Sequence, residues 1–291
     1  MPTLDQHQSS DTLKCLLIGD SGEGKTGALA SLAAVGYNIR IIDLDNGLDV
    51  LVNVLKKYKP EALKHVQYCT LTNKMKAVGA KVLPDGNPGA WSKAMAMLNR
   101  WEEGVKGQPG YVDLGPVTSW GKGDILVIDS LSLLSKMAMS AVLAVNGRLA
   151  SAIEIQDYAE AMRLIEGLLA LLYSDAIKCH VIMISHIAYL DIQDGIIKGF
   201  PNTIGQKLSP QVGRYFNNCF RVSRKGSGTA IKRYIQTVSS GNVELKNSAP
   251  FALGAEIAFD GIEGGLATVF QTLTGDPPSK WPKAAVSSTA T

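Results

Sequence analysis

Blocks of consecutive apolar residues recur at Leu13 to Ile18, Asn38 to Leu44, Val66 to Leu71, Asp124 to Asp129 and Cys179 to Ser185. Runs without polar alternation suit strands buried on both faces, as in the parallel sheet of an α/β domain. Between them lie segments of helical period. Thr26 to Val35 carries small residues at Ala28, Ala30, Ala33 and Ala34 for close packing on a sheet, with Gly36 as its stop. Leu48 to Tyr58 and Leu133 to Val145 read as helices. Ile155 to Tyr173 is the strongest, with Ile155, Tyr158, Met162, Ile165, Leu169 and Leu172 along one face.

Regularity drops between Thr72 and Asp124, except for an island at Ala90 to Glu103, where Trp91, Ala94, Met95, Leu98 and Trp101 share an apolar face that reads as core packing. Beyond His186 the strands shorten: Ile187 to Ile192 and Ile196 to Phe200 flank a turn at Asp194-Gly195. Ile204, Leu208, Val212 and Tyr215 return to helical spacing, and Phe220 to Ser223 with Ile231 to Thr237 form a hairpin across Arg224 to Gly228. The expected layout is a mobile arm at 1–11, one α/β domain at 12–273 with an irregular insertion at about 73–122, and a flexible tail at 274–291.

With 291 residues, 46% of them hydrophobic, the chain has the core for one large domain. A formal charge of +3 is too small to argue for a polyanion partner, so any such site must be local. Cys15, Cys69, Cys179 and Cys219 lack metal-ligand spacing and lie in or beside strands, which points to free thiols in a reducing compartment. No run has the length of a membrane span and the polar N-terminus carries no signal pattern, so a cytoplasmic protein is expected.

The chemistry begins at Gly19-Asp20-Ser21-Gly22-Glu23-Gly24-Lys25-Thr26, which follows the first strand and opens a helix. That context fits a phosphate-binding P-loop: backbone N–H groups and a helix N-terminus meet phosphate oxygens, Lys25 reaches the β- and γ-phosphates, and the Thr26 hydroxyl ligates Mg²⁺. The plain alternative is a glycine-rich strand-to-helix turn. Alternation puts Asp43 and Asp45 on one side of the second strand, where they suit a water or magnesium site; Asp45 or Asn46 equally suits a cap for the next helix. Asp129 ends an apolar strand, as does the carboxylate that orients water around Mg²⁺ in NTPases. Ser130 and Ser132 beside it are hydroxyls near the phosphates or helix caps. Ser185 and His186 end a strand at the same edge and form a candidate sensor of nucleotide state, or a core histidine. Arg221, Arg224, Lys225, Lys232 and Arg233 cluster on the late hairpin, either as a solvated edge or as a surface for a neighbour or DNA.

Taken together, the P-loop, IIDLDNG at 41–47, ILVIDS at 125–130, VIMISH at 181–186 and DGIIKGFPNTIGQKL at 194–208 resemble the RecA-like P-loop ATPases. Within them they resemble the short phage nucleotide-binding proteins related to single-strand annealing and recombination factors. The resemblance implies an ATP- and Mg²⁺-dependent ATPase with a mostly parallel sheet, helices on both faces and a C-terminal antiparallel hairpin extension. It makes Asp45 the water-activating residue, one methylene shorter than the family's usual glutamate, which argues against fast hydrolysis. It further implies a homo-oligomeric ring or filament, with Lys232 or Arg233 completing a neighbour's site. Single-stranded DNA would be met at Lys198, Phe200 and Lys207, alongside a possible single-strand DNA-binding protein, in a phage-infected host cell. A slow nucleotide-dependent switch for replication or packaging partners is the second reading.

Overall fold

The computed structural model describes residue 3 and residues 11–281, with only the backbone at Thr229. The rest of the expected N-terminal arm and the tail beyond 281 lie outside the described residues. The apolar blocks become β1 (Lys14–Ile18), β2 (Asn38–Asp43), β3 (Val66–Thr70), β4 (Asp124–Asp129) and β5 (His180–Ser185). They are followed by β6 (Asn218–Lys225), β7 (Lys232–Gln236), β8 (Glu256–Asp260) and β9 (Glu263–Gly264). All join one nine-stranded sheet in the order β9-β8-β7-β6-β1-β5-β4-β2-β3. Pairing is parallel from β3 through β6 and antiparallel from β6 to β9. This is the mostly parallel α/β sheet of a RecA-like P-loop NTPase, with an antiparallel C-terminal extension.

Strand alternation sends neighbouring side chains to opposite faces, and each face is covered. Leu16, Ile18, Leu126, Ile128 and Met183 pack towards α3 (Ala90–Asn99), α4 (Leu131–Val145) and α5 (Ile155–Tyr173). Cys15, Leu17, Ile125, Val127 and Ile184 pack towards α1 (Ala30–Ala34), α2 (Asp49–Tyr58) and α7 (Leu266–Thr274). The remaining helix, α6 (Ser209–Val212), is a single turn.

Several expectations shift. The helix expected at Thr26 to Val35 begins as a 3₁₀ turn over Gly27–Leu29 before α1. On α5 the buried stripe is Ala161, Ile165, Leu168, Leu169 and Leu172, while Ile155 is 90% exposed. Its first turn runs past the core and is held instead by a capping box between Glu154 and Asp157, braced by Arg148. The helical spacing over Ile204 to Tyr215 gives only α6 and a 3₁₀ turn. Pro210 in the first turn of α6 stops it from extending backwards. Cys15, Cys179 and Cys219 are buried free thiols, and Cys69 is half-buried.

The expected tail is anchored as far as Trp281, whose ring meets Tyr37 edge-on and Lys122 from above; Ser279 N–H donates to Val35 O at 3.2 Å. His180, unremarked in the sequence, sits in the same aromatic cluster. Its Nδ1 accepts the Leu13 N–H at 2.8 Å and its Nε2 faces Lys122 O at 2.9 Å, and burial lowers its pKa to about 4. It is a neutral structural histidine.

Candidate nucleotide site

In a parallel sheet all carboxyl ends point the same way, so the loops after β1, β2, β4 and β5 gather at one edge. Register places Ile18 beside Ser185 and Asp43 beside Asp129. The loop after β1 curls through Gly22 and Gly24, whose φ angles of 79° and 101° favour glycine. It borders a cavity of about 370 Å³ that Lys25, Thr26, Asp45, Asp129 and His186 also line.

Lys25 is almost fully buried. Its ammonium donates to Gly19 O at 2.8 Å and Asp20 O at 2.9 Å and lies 3.4 Å from His186 Nδ1. Burial lowers its pKa against the opposing pull of Asp129, Asp20 and Asp45. Thr26 Oγ1 donates to Asp129 Oδ2 at 2.6 Å. Burial pushes the Asp129 carboxyl up to about 6, with the Thr26 bond working the other way.

The two aspartates of DLDNG separate: of the pair placed on one side of the strand by alternation, only Asp45 lines the cavity. β2 ends at Asp43, and the chain then turns through Asn46 at φ 52°. Asp43 is buried and structural, accepting Thr70 Oγ1 at 2.9 Å and the Gly47 N–H at 3.4 Å. Asp45 faces the cavity. Ser130 Oγ donates to its Oδ1 at 2.9 Å and His186 Nε2 lies 3.2 Å from its Oδ2. Burial works against its charge, yet these bonds and Lys25 hold its carboxyl below the ordinary value. Neither Asp45 nor Asn46 caps α2, whose N-cap is Leu48 without a side-chain bond.

The sensor pair also divides. His186 spans Lys25 and Asp45, whereas Ser185 is fully buried, with its hydroxyl on the carbonyls of His186 and Asn202. Ser132 Oγ accepts the His186 N–H at 3.0 Å and fixes the strand end. Ser130 touches Asp45, and neither serine caps α4 through its side chain.

Two arginines of the basic cluster on β6 and β7 are committed to the P-loop. Arg221 reaches Asp20 at 3.3 Å, Arg224 reaches Glu23 at 3.5 Å, and Tyr189 OH donates to Asp20 at 3.1 Å. Lys225 pairs with Glu256 at 2.6 Å. These contacts to the loop escaped the sequence reading. Two carboxylates inside a phosphate-binding loop were the available signal, since they demand counter-charge. Arg233, expected to complete a neighbour's site, lines the cavity of its own chain; Lys232 is exposed beside it. Lys198 pairs with Glu244, and Phe200 is half-buried two positions along the same strand. Lys207 is exposed in the following loop, bordering a shallow groove with Ala188 and Leu190.

Magnesium fits this donor set. The Thr26 hydroxyl and Asp129 carboxylate are hard oxygens side by side at the phosphate loop, and Mg²⁺ takes one or two carboxylates with the rest of its shell from phosphate and water. Among the described residues no three His, Cys, Asp or Glu form a metal cage by themselves.

The fold and site define a P-loop nucleotide-binding protein of RecA-like architecture. The sequence matches the AAA domain family over residues 11–249, and the chain belongs to that family. No curated protein matches it. Among solved structures it is similar to the RadB recombinase at 14% identity and a TM-score of 0.45, covering 90% of this chain and 93% of that one. It is also similar to the flagellar accessory protein FlaH from Methanocaldococcus jannaschii, at 14% identity and TM-score 0.41, covering 90% of each chain. A KaiC-like protein from Pyrococcus horikoshii OT3 follows at 14% and 0.40, covering 89% and 91%. No described helix is long and apolar enough to cross a membrane.

Proposed function

We propose that this chain binds and hydrolyses ATP with Mg²⁺, assembles with copies of itself, and acts on single-stranded DNA in phage recombination or strand annealing. The observation that carries the reading is the division of labour in one cavity: Lys25 and the loop for phosphate, Thr26 and Asp129 for the metal, and Asp45 apart from them for water. Magnesium, when bound, neutralises charge on the phosphates. Lys25 exchanges its carbonyl partners for phosphate oxygens. Asp45 orients the attacking water and accepts its proton, held in place by Ser130 and His186.

DNA binding draws support from the hairpin of Ile187–Gln193 and Ile196–Pro201, which starts directly after His186 and carries Lys198 and Phe200. Basic groups beside an aromatic suit a flexible single strand. ATP turnover with and without single-stranded DNA tests both halves. The expectation is measurable turnover that DNA stimulates and that Lys25→Ala abolishes. Turnover indifferent to DNA removes the DNA half.

A slow switch for replication or packaging partners is the second reading, favoured by one feature: both carboxylate oxygens of Asp45 are already engaged. Asp45→Asn separates the two. A fall of about 100-fold or more fits a working general base, and an unchanged slow rate fits the switch.

A further inference from the structure

Three arginines of the β6–β7 hairpin approach the P-loop, and they are not equivalent. Arg221 and Arg224 on β6 are committed to Asp20 and Glu23. Arg233 on β7 stands opposite Arg224 in the antiparallel register and next to Phe259 of β8. Among the described residues its guanidinium has no hydrogen bond or ion pair. Its Cδ and Nε lie 2.9 Å from where a Cβ would stand on Gly24, so the side chain lies over the P-loop backbone. Gly24 leaves room for it.

Arg233, without an ion pair, and the Lys25 ammonium thus line one cavity, which Asp45, Asp129 and Asp260 also border. Like charges held in a partly buried space are tolerable when an anion comes between them, and a guanidinium offers a fixed fork of donors that matches phosphate oxygens. Arg233 also links the phosphate loop at Gly24 to its cross-strand neighbour Phe259, which lines the cavity together with Val50, Val54 and Asp260.

We propose that Arg233 is a phosphate ligand in cis: together with Lys25 it clamps the polyphosphate of the nucleotide bound to its own chain, on the side nearer the nucleoside. This rests on the nucleotide reading above and replaces the expectation that Arg233 serves a neighbouring subunit. A contact near the nucleoside is shared by ADP and ATP, so its loss weakens both. A finger supplied by a neighbour acts on turnover and needs the second subunit.

The test titrates fluorescent ADP and ATP analogues into the parent chain, Arg233→Ala and Arg233→Lys. The expected result is a dissociation constant raised at least about tenfold for both nucleotides in Arg233→Ala, with partial recovery in Arg233→Lys, which keeps the charge without the fork. Lys25→Ala and Arg233→Ala chains are then mixed and assayed for ATP turnover, and no recovery is expected. Binding by Arg233→Ala equal to the parent's overturns the clamp and leaves the nucleotide reading standing, as does turnover restored by mixing. A parent chain that binds neither nucleotide overturns both.

Discussion

Asp129, the proposed metal-side carboxylate, carries a cost to the fold. In the folded chain its carboxyl keeps its proton up to about pH 6, while in the unfolded chain it releases it near the ordinary value. The folded state therefore binds more protons between those limits, and stability falls as pH rises through them. Asp129→Asn removes that dependence. Chemical denaturation of variant and parent should agree near pH 4 and diverge to on the order of 3 kcal/mol in the variant's favour by pH 7. ATP turnover should be lost in the same variant. Equal stability at pH 7 would show that the carboxylate is not strained by burial.

The Arg221–Asp20 pair yields a second residue-scale expectation. Arg221→Ala leaves Asp20 uncompensated beside the phosphates and should weaken ATP binding several-fold. Asp20→Asn in the same chain should restore most of it, because the repelling charge is then gone. A double variant as weak as the single one would assign Arg221 a role other than neutralising the loop. None of these partners was legible in the sequence, because the pairs span 201 residues between Asp20 and Arg221 and 85 between Asp45 and Ser130. Only folding brings them together.

At the scale of elements the hydrophobic pattern was a good guide where burial is two-sided. The pattern predicts Asp124–Asp129 and Ile155–Tyr173 with their observed bounds, since long apolar or strongly periodic segments leave little choice of structure. On α5 the pattern predicts the buried Ile165, Leu169 and Leu172 and the partly buried Met162, but not the exposure of Ile155 and Tyr158, because that depends on where the helix leaves the sheet. Ile165→Ala should cost about 2–5 kcal/mol in a denaturant titration, and Ile155→Ala less than about 0.5 kcal/mol. Similar costs for the two would place the buried stripe elsewhere. The turn of the Ile187–Pro201 hairpin was legible from Asp194-Gly195 alone. Both residues take positive φ, 48° and 83°, as a tight two-residue turn requires.

For the whole molecule, the P-loop told where a nucleotide would sit, and sheet topology explains why the other pieces converge on it. Strands β1, β5, β4 and β2 are adjacent and parallel, so their carboxyl ends deliver Lys25, His186, Asp129 and Asp45 to one cavity. The chain order of these motifs was readable. Strand order was not, since β5 comes between β1 and β4 only through long crossovers that local pattern does not encode. The central claim is that this cavity takes ATP through Lys25, and its most direct test is calorimetric titration of Mg²⁺-ATP into the parent chain and Lys25→Ala. The account predicts saturable binding at one site per chain that falls at least about tenfold in the variant. Unchanged affinity in Lys25→Ala would contradict it.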